Sequence, residues 1–281
     1  MELMRLLLPA PQPPSSAPPV STDAGVDLHA HYAAGWLDEG GVRVNFVSSV
    51  DGAATAAGLS RGLQTPGDNA VFAALRDLAD VILVGAATAA AEGYRPSRPG
   101  ARRRALRSRH GLAEAPAIAV MSASLELDLS APLYSEATEA PTLIVTGSTA
   151  AIGRRNDIID LAGGPSRLQL IQAATGEAGG VDFAAAVAGL RELGYRRILC
   201  EGGPRLFGAG VAAGAVDELC LSYSPMLAGP DASRIVAGQP WPAGFAAPLW
   251  LAGLLTENGA LFCRYLLRPP GTSPGTISPR S

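Results

Sequence analysis

Lysine is absent from this chain of 281 residues: all 22 basic residues are arginine, set against 25 Asp and Glu for a formal net charge of -3. A surface without a basic excess is not built to neutralise nucleic-acid phosphates or to settle on anionic lipid. Cysteine is scarce too. Cys200, Cys220 and Cys263 lie far apart with no CxxC spacing, which excludes a zinc knuckle and a disulfide framework and reads as reducing cytoplasm. No apolar run approaches the roughly 18 residues of a membrane span, and the brief Leu6 to Leu8 run lacks both the length and the basic leader of a signal peptide. The G-x-G-x-x-G dinucleotide fingerprint is missing as well.

What is present is a chain 48% hydrophobic, with 33 Gly and 23 Pro, long enough to bury a core without covalent staples. Pro, Ser and Gly concentrate at both ends. Residues 1–25 are therefore expected to form a flexible Pro-rich arm and residues 269–281 a disordered tail, with one folded domain over 26–268. Within it, short apolar strands alternate with helical segments: Val42 to Val50, Val81 to Val84, Ala117 to Met121, Thr142 to Thr146, Leu168 to Ile171 and Arg197 to Cys200. Val81-Ile82-Leu83-Val84 is apolar at every position, as a strand covered on both faces of a parallel sheet must be. Thr65-Pro66 reads as an N-cap followed by proline at the first helical position, with Val71, Phe72, Leu75, Leu78 and Ala79 on one apolar face. Asp182 caps a second helix that ends at Gly194. The last stretch, Glu218 to Leu227, Pro248 to Leu255 and Leu261 to Leu267, is strand-like without helices between. An α/β fold follows, with a mostly parallel central sheet flanked by helices and antiparallel C-terminal strands.

Three segments carry candidate chemistry. The first is Glu201-Gly202-Gly203-Pro204-Arg205-Leu206-Phe207, where a buried strand ends in a carboxylate, turns through two glycines and enters a helix whose free N–H groups suit an anion. A tight strand-to-helix turn wants the same glycines. Glu201 favours the ligand reading, because open α/β sheets bind at the carboxyl ends of their strands. The second segment, Gly85-Ala86-Ala87-Thr88, ends a strand in small residues and a hydroxyl. The third is Asn45 to Gly52, whose alternation sets Asn45, Val47, Ser49 and Asp51 on one side; Asp51-Gly52 is also an ordinary turn dipeptide. Arg76 lies at the edge of its apolar helix face. Arg102 to Arg104, Arg107 and Arg109 read as a solvated, mobile run. His29 and His31 form an HxH pair with no third ligand, so they read as strand or loop histidines and no metal site is expected.

Together these segments make the chain resemble the pyrimidine reductase family, the reductase domain of bacterial riboflavin-biosynthesis deaminase-reductases, in its free-standing form. The resemblance spans Trp36 to Leu267. It implies a dihydrofolate-reductase-like fold, NADPH across the strand ends, a homodimer, and hydride transfer to the opened ribose of 5-amino-6-(5-phosphoribosylamino)uracil. By motif position it assigns the cofactor to Val47, Gly62, Gly85, Thr88, Glu92, Ser122 and Gly202 through Phe207. Asn45, Ser60, Arg76 and Glu201 face substrate, Arg76 pairing with its phosphate and Arg95 or Arg98 adding a second contact. Asp51 and Glu201 are the catalytic candidates.

Two departures from the family stand out. Ala53 occupies the position where many members carry a basic residue, and the zinc-deaminase signature, H-x-E with a downstream P-C-x-x-C, does not occur. Two alternatives therefore accompany the leading reading. One is a dihydrofolate or pterin reductase that uses Asp51 as its carboxylate, and the other is a non-catalytic dinucleotide-binding sensor.

Overall fold

The computed structural model describes residues 4–8, 25–137, 139–148, 152–161, 168–176, 180–241 and 245–269. Among these described residues ten strands, β1 (Arg5–Leu8), β2 (Gly41–Ser49), β3 (Val81–Gly85), β4 (Ala117–Met121), β5 (Thr142–Gly147), β6 (Leu168–Ala173), β7 (Arg197–Cys200), β8 (Glu218–Ser224), β9 (Trp250–Glu257) and β10 (Ala260–Leu266), form one sheet. Its order is β1-β9-β10-β8-β2-β7-β3-β4-β5-β6. Every pairing from β8 through β6 is parallel, whereas β10 runs antiparallel to β8 and β9, and β9 antiparallel to β1. This is the α/β architecture expected, with the parallel and antiparallel parts divided as the sequence suggests. Among the described residues, no helix is long and apolar enough to cross a membrane.

The all-apolar strands explain the layering. Along β3 the side chains alternate between two cores, Ile82 and Val84 in one and Val81 and Leu83 in the other. All four are fully buried, each contributing about 1.5–3 kcal/mol of transfer free energy. The first core lies under the helices α1 (Leu28–Ala33), α2 (Trp36–Glu39) and α3 (Pro66–Leu78), and supplies Tyr32, Trp36, Val71, Leu75 and Leu78. Short α4 (Ala86–Ala91), α5 (Ala101–Arg109), α6 (Pro132–Ser135) and α7 (Ile152–Leu161) follow in the chain. The second core is closed by α8 (Phe183–Glu192) and α9 (Pro204–Ala212) through Phe183, Val187, Leu190, Phe207 and Val211.

Helix α3 is built as its sequence indicates. Thr65 accepts a hydrogen bond from the Asp68 N–H at 3.1 Å and Pro66 opens the first turn. Its far end is held by a residue expected elsewhere. Arg107, read as part of a solvated run, sits on α5 fully buried and donates to the carbonyls of Arg76, Asp77, Ala79 and Ala113. The last carbonyls of a helix lack intrahelical partners, and a guanidinium with five donors in a fork can satisfy several at once. Burial lowers its pKa from 12.5 to about 10 against the opposing pull of Asp77 and Asp80. Arg103 of the same run pairs with Asp77 at 2.6 Å.

Two further expectations are corrected. Arg5–Leu8, placed by sequence in a flexible arm, is an edge strand paired with β9, Leu6 opposite Leu255; the rest of that arm from residue 9 to 24, and the tail from 270, lie outside the described residues. His29 and His31, expected in a strand or loop, lie on α1. Burial holds the His31 imidazole at about 4, below its ordinary 6.5, with Arg264 adding to the effect. Among the described residues no cluster of His, Cys, Asp and Glu has a metal-holding arrangement.

Candidate active site

Parallel strands β2, β3 and β7 end at the same side of the sheet, and a cavity of about 500 Å³ opens there. Its walls bring together Asn45, Val47, Ser60, Arg76, Thr88, Glu92, Glu201, Gly203 and Pro204, nine residues singled out from sequence.

Glu201 follows β7 and is almost wholly buried. Arg76, from the last turn of α3, clasps it with Nε at 2.7 Å and Nη2 at 2.6 Å. The Tyr94 hydroxyl donates to the same carboxylate at 2.6 Å. Phe72 and Tyr94 flank the guanidinium, whose carbon lies 4.3 Å and 5.3 Å from their ring centres. Burial would weaken the Arg76 charge, but Glu201 and Tyr94 outweigh it and hold the guanidinium firmly protonated. Tyr94 is pushed well above its ordinary pKa, by burial first and Glu201 second. Arg76 thus uses two donor nitrogens on Glu201, where the resemblance gave it a substrate phosphate.

The glycine turn brings backbone close to this group. A Cβ at Gly203 would meet the Thr88 Oγ1 at 2.5 Å, and one at Gly202, where φ is +90°, would meet the Phe46 ring at 3.0 Å. The Gly85 N–H donates to the Gly202 carbonyl at 2.9 Å, tying the tips of β3 and β7 together. Gly203 caps α9 without any side-chain hydrogen bond, which leaves its first turn, Pro204 to Phe207, without a competing side-chain acceptor. Phe207 packs its ring 5.4 Å from that of Phe46. Glu92 accepts from the Ser60 N–H at 2.9 Å and so fastens the Ser60–Gly62 turn to the end of α4.

Other expected residues stand outside the cavity wall. Asp51 is one: its carboxylate accepts from the Ser49 hydroxyl and from the N–H groups of Ala228 and Gly229 at 3.1 Å and 2.9 Å. Those bonds, the Ser49 one foremost, lower its pKa to about 2. The side chain therefore fastens the turn after β2 to the loop after β8. Arg98 donates to the Glu136 carbonyl at 2.9 Å, whereas Arg95 lines the cavity and is largely exposed. Ser122 is buried at the end of β4 and accepts from the Leu125 N–H. Gly62, Gly85, Gly202, Arg205, Leu206 and Phe207 are not among the residues that line the cavity. Ala53 is buried, its N–H bonded to the Ser49 Oγ at 3.0 Å. Cys200 is buried too, its thiol pushed up to about 12, so it offers no nucleophile.

Sequence reasoning missed Tyr94, Phe72 and Asp68. Asp68 lies in the first turn of α3, is 3% exposed, and lines the cavity. Burial raises its carboxyl from 3.8 to about 6, with only the Ser222 hydroxyl opposing the shift. The capping pattern Thr65-x-x-Asp68 was visible in the sequence.

A parallel sheet with a buried carboxylate and a glycine turn at its strand tips, beside a cavity of about 500 Å³, has its cavity where open α/β sheets take their ligands. The chain belongs to the RibD C-terminal domain family, whose model matches residues 41–252. Among solved structures it is similar to a pyrimidine reductase-like protein from Corynebacterium diphtheriae, at 28% identity and TM-score 0.72, covering 83% of this chain and 94% of that one. Two more distant structures share the fold. RibD of Acinetobacter baumannii is 16% identical with TM-score 0.61, covering 81% of this chain and 58% of that one. Riboflavin biosynthesis reductase Rib7 of Saccharomyces is 13% identical with TM-score 0.56, covering 81% of this chain and 89% of that one. No curated protein matches the sequence.

Proposed function

We propose that this chain is an NADPH-dependent reductase of the riboflavin pathway, acting on 5-amino-6-(5-phosphoribosylamino)uracil. The observation that carries the reading is the cavity itself, where Glu201, Arg76, Tyr94, Thr88 and the Gly202-Gly203 turn meet at the strand tips. The family match and the likeness to a pyrimidine reductase-like protein support it.

The residues present fit a dinucleotide. The close approach of Gly203 to Thr88 leaves backbone where a side chain would stand, and the open first turn of α9 suits a pyrophosphate. NADPH, when bound, supplies the hydride that converts the opened ribosylamino group to its ribitylamino form. The chain supplies position and charge. Gly203 and the α9 first turn hold phosphate oxygens, and Thr88 donates its hydroxyl. Glu201, oriented by Arg76 and Tyr94, accepts hydrogen bonds from the sugar hydroxyls, and the tyrosine proton remains on its oxygen at neutral pH. The substrate phosphate meets Arg95 at the cavity mouth and the Nη1 of Arg76.

The pterin alternative rests on Asp51, which lies outside the cavity wall, so it would have to use Asp68 or Glu201, the buried carboxylates that line the cavity. Turnover with NADPH and the deaminated pathway intermediate tests the proposal: NADPH oxidation matched to loss of the intermediate is expected, and NADPH binding with the intermediate left intact would overturn it.

A further inference from the structure

Buried polar atoms in folded proteins find partners almost without exception, so an orphan in a cavity wall points to the ligand that completes it. Among the described residues, the Oδ1 atoms of Asp68 and Asn45 are buried and have no hydrogen-bond partner. Their residues are 3% and 9% exposed, and both line the cavity at the strand tips. Asn45 comes from β2 and Asp68 from the first turn of α3, so two independent elements of the cavity wall each carry an acceptor that neither a protein donor nor bulk water reaches.

The position of Asp68 is built in. Its own N–H is taken by Thr65, and a Cβ on its neighbour Gly67 would meet the Glu257 Oε2 and the Phe262 ring at 2.5 Å. The helix end is therefore pressed against β9 and β10 with no room to withdraw the carboxyl. Among the described residues, the Ser222 hydroxyl is the one side chain that relieves its burial, and no guanidinium does so. Of the two arginines that line the cavity, Arg76 is engaged by Glu201 and Arg95 lies 3.9 Å from Glu136.

Resting on the pyrimidine reading given above, we propose that Asp68 and Asn45 are the specificity-determining pair for the substrate ring, accepting hydrogen bonds from two N–H groups on neighbouring atoms of its edge. In a 6-aminouracil ring these are N1–H and the exocyclic 6-amino group. The opposite edge, where N3–H is flanked by carbonyls, would set a carbonyl against one of the two acceptors and is disfavoured, because unpaired buried polar groups cost more than paired ones return. The pair thus sets which way round the ring lies and places the sugar-bearing nitrogen toward Glu201.

Calorimetric titration of the intact protein with 6-aminouracil and with 1-methyl-6-aminouracil, with and without NADPH, tests the assignment. The unmodified protein is expected to bind 6-aminouracil about 10-fold more tightly than the N1-methyl ring, the discrimination of one charge-assisted hydrogen bond. Asp68→Asn, which keeps the shape and an acceptor oxygen but loses the charge, is expected to narrow that ratio while NADPH still binds. A ratio near one in the unmodified protein, or an unchanged ratio in Asp68→Asn, overturns the assignment. Loss of NADPH binding alone would overturn the reductase reading, and the ratio measured without cofactor still decides the role of Asp68.

Discussion

Two buried carboxylates touch strand β8, and the molecule treats them oppositely. Glu218, at the start of the strand, lies under the helical layer with Arg43 at 2.9 Å and Arg264 at 2.8 Å, and those guanidinium groups reach on to the carbonyls of Tyr32 and His31. Burial alone would raise its pKa, but the two arginines pull it down to about 2. Asp68, bonded by Ser222 of the same strand, has no cation and rises to about 6. Where the chain needs only to hold its shape, charge is compensated within the chain; where it faces the cavity, compensation is left to a ligand. Glu201 stands between the two, paired with one arginine and one tyrosine while still lining the cavity.

Breaking the compensated cluster gives the largest effect. Glu218→Ala strands Arg43 and Arg264 in the interior and is expected to cost about 3–5 kcal/mol in urea denaturation, enough to unfold a marginal domain. Next is Glu201→Gln, which keeps the side chain's shape while weakening its hold on Arg76. It is expected to lower kcat about 100-fold with the denaturation midpoint nearly unchanged; an unchanged kcat removes Glu201 from the reaction.

The uncompensated carboxylate gives an effect of opposite sign. The folded pKa of Asp68, about 6, exceeds the ordinary 3.8, so the folded protein holds that proton longer. Its contribution to stability is present at low pH and is lost as pH rises from about 4 to 6, reaching a penalty of about 3 kcal/mol above that range. Asp68→Asn is therefore expected to be more stable than the unmodified protein at pH 7.5 and no more stable at pH 4. His31 works the other way between its ordinary 6.5 and about 4, losing stability as pH falls, but it is common to both proteins and cancels in the difference. A gain that does not change with pH would contradict an ionised Asp68. The smallest effect is local: Thr65→Ala removes the cap that fixes Asp68 and is expected to cost about 1 kcal/mol.

The legible parts of this molecule were those governed by neighbours in the sequence. The all-apolar run Val81 to Val84, the Thr65-Pro66 helix start and the Glu201-Gly202-Gly203-Pro204 turn each carry their instruction within a few residues, and the structure places each as read. What escaped was decided from afar. Arg107 belongs to a run of arginines that looks solvated, and only the carbonyl end of α3, some 30 residues earlier, draws it inside. Leu6 becomes a strand residue because β9, about 250 residues later, offers an open edge. Asp68 reads as an ordinary first-turn acid until β9 and β10 close over Gly67 and remove its water. Asp51 sits in a local pattern that suits a site, yet the loop at Ala228 and Gly229 claims its carboxylate.

In the function proposed above, the Gly202-Gly203 turn and Thr88 form a shelf for a reduced dinucleotide. Fluorescence titration with NADPH, run side by side on the unmodified protein and Gly203→Val, tests it directly, since the added side chain would enter the space within 2.5 Å of the Thr88 hydroxyl. Saturable binding at micromolar concentration in the first and none in the second is the result expected; equal binding by both, or none by either, would contradict it.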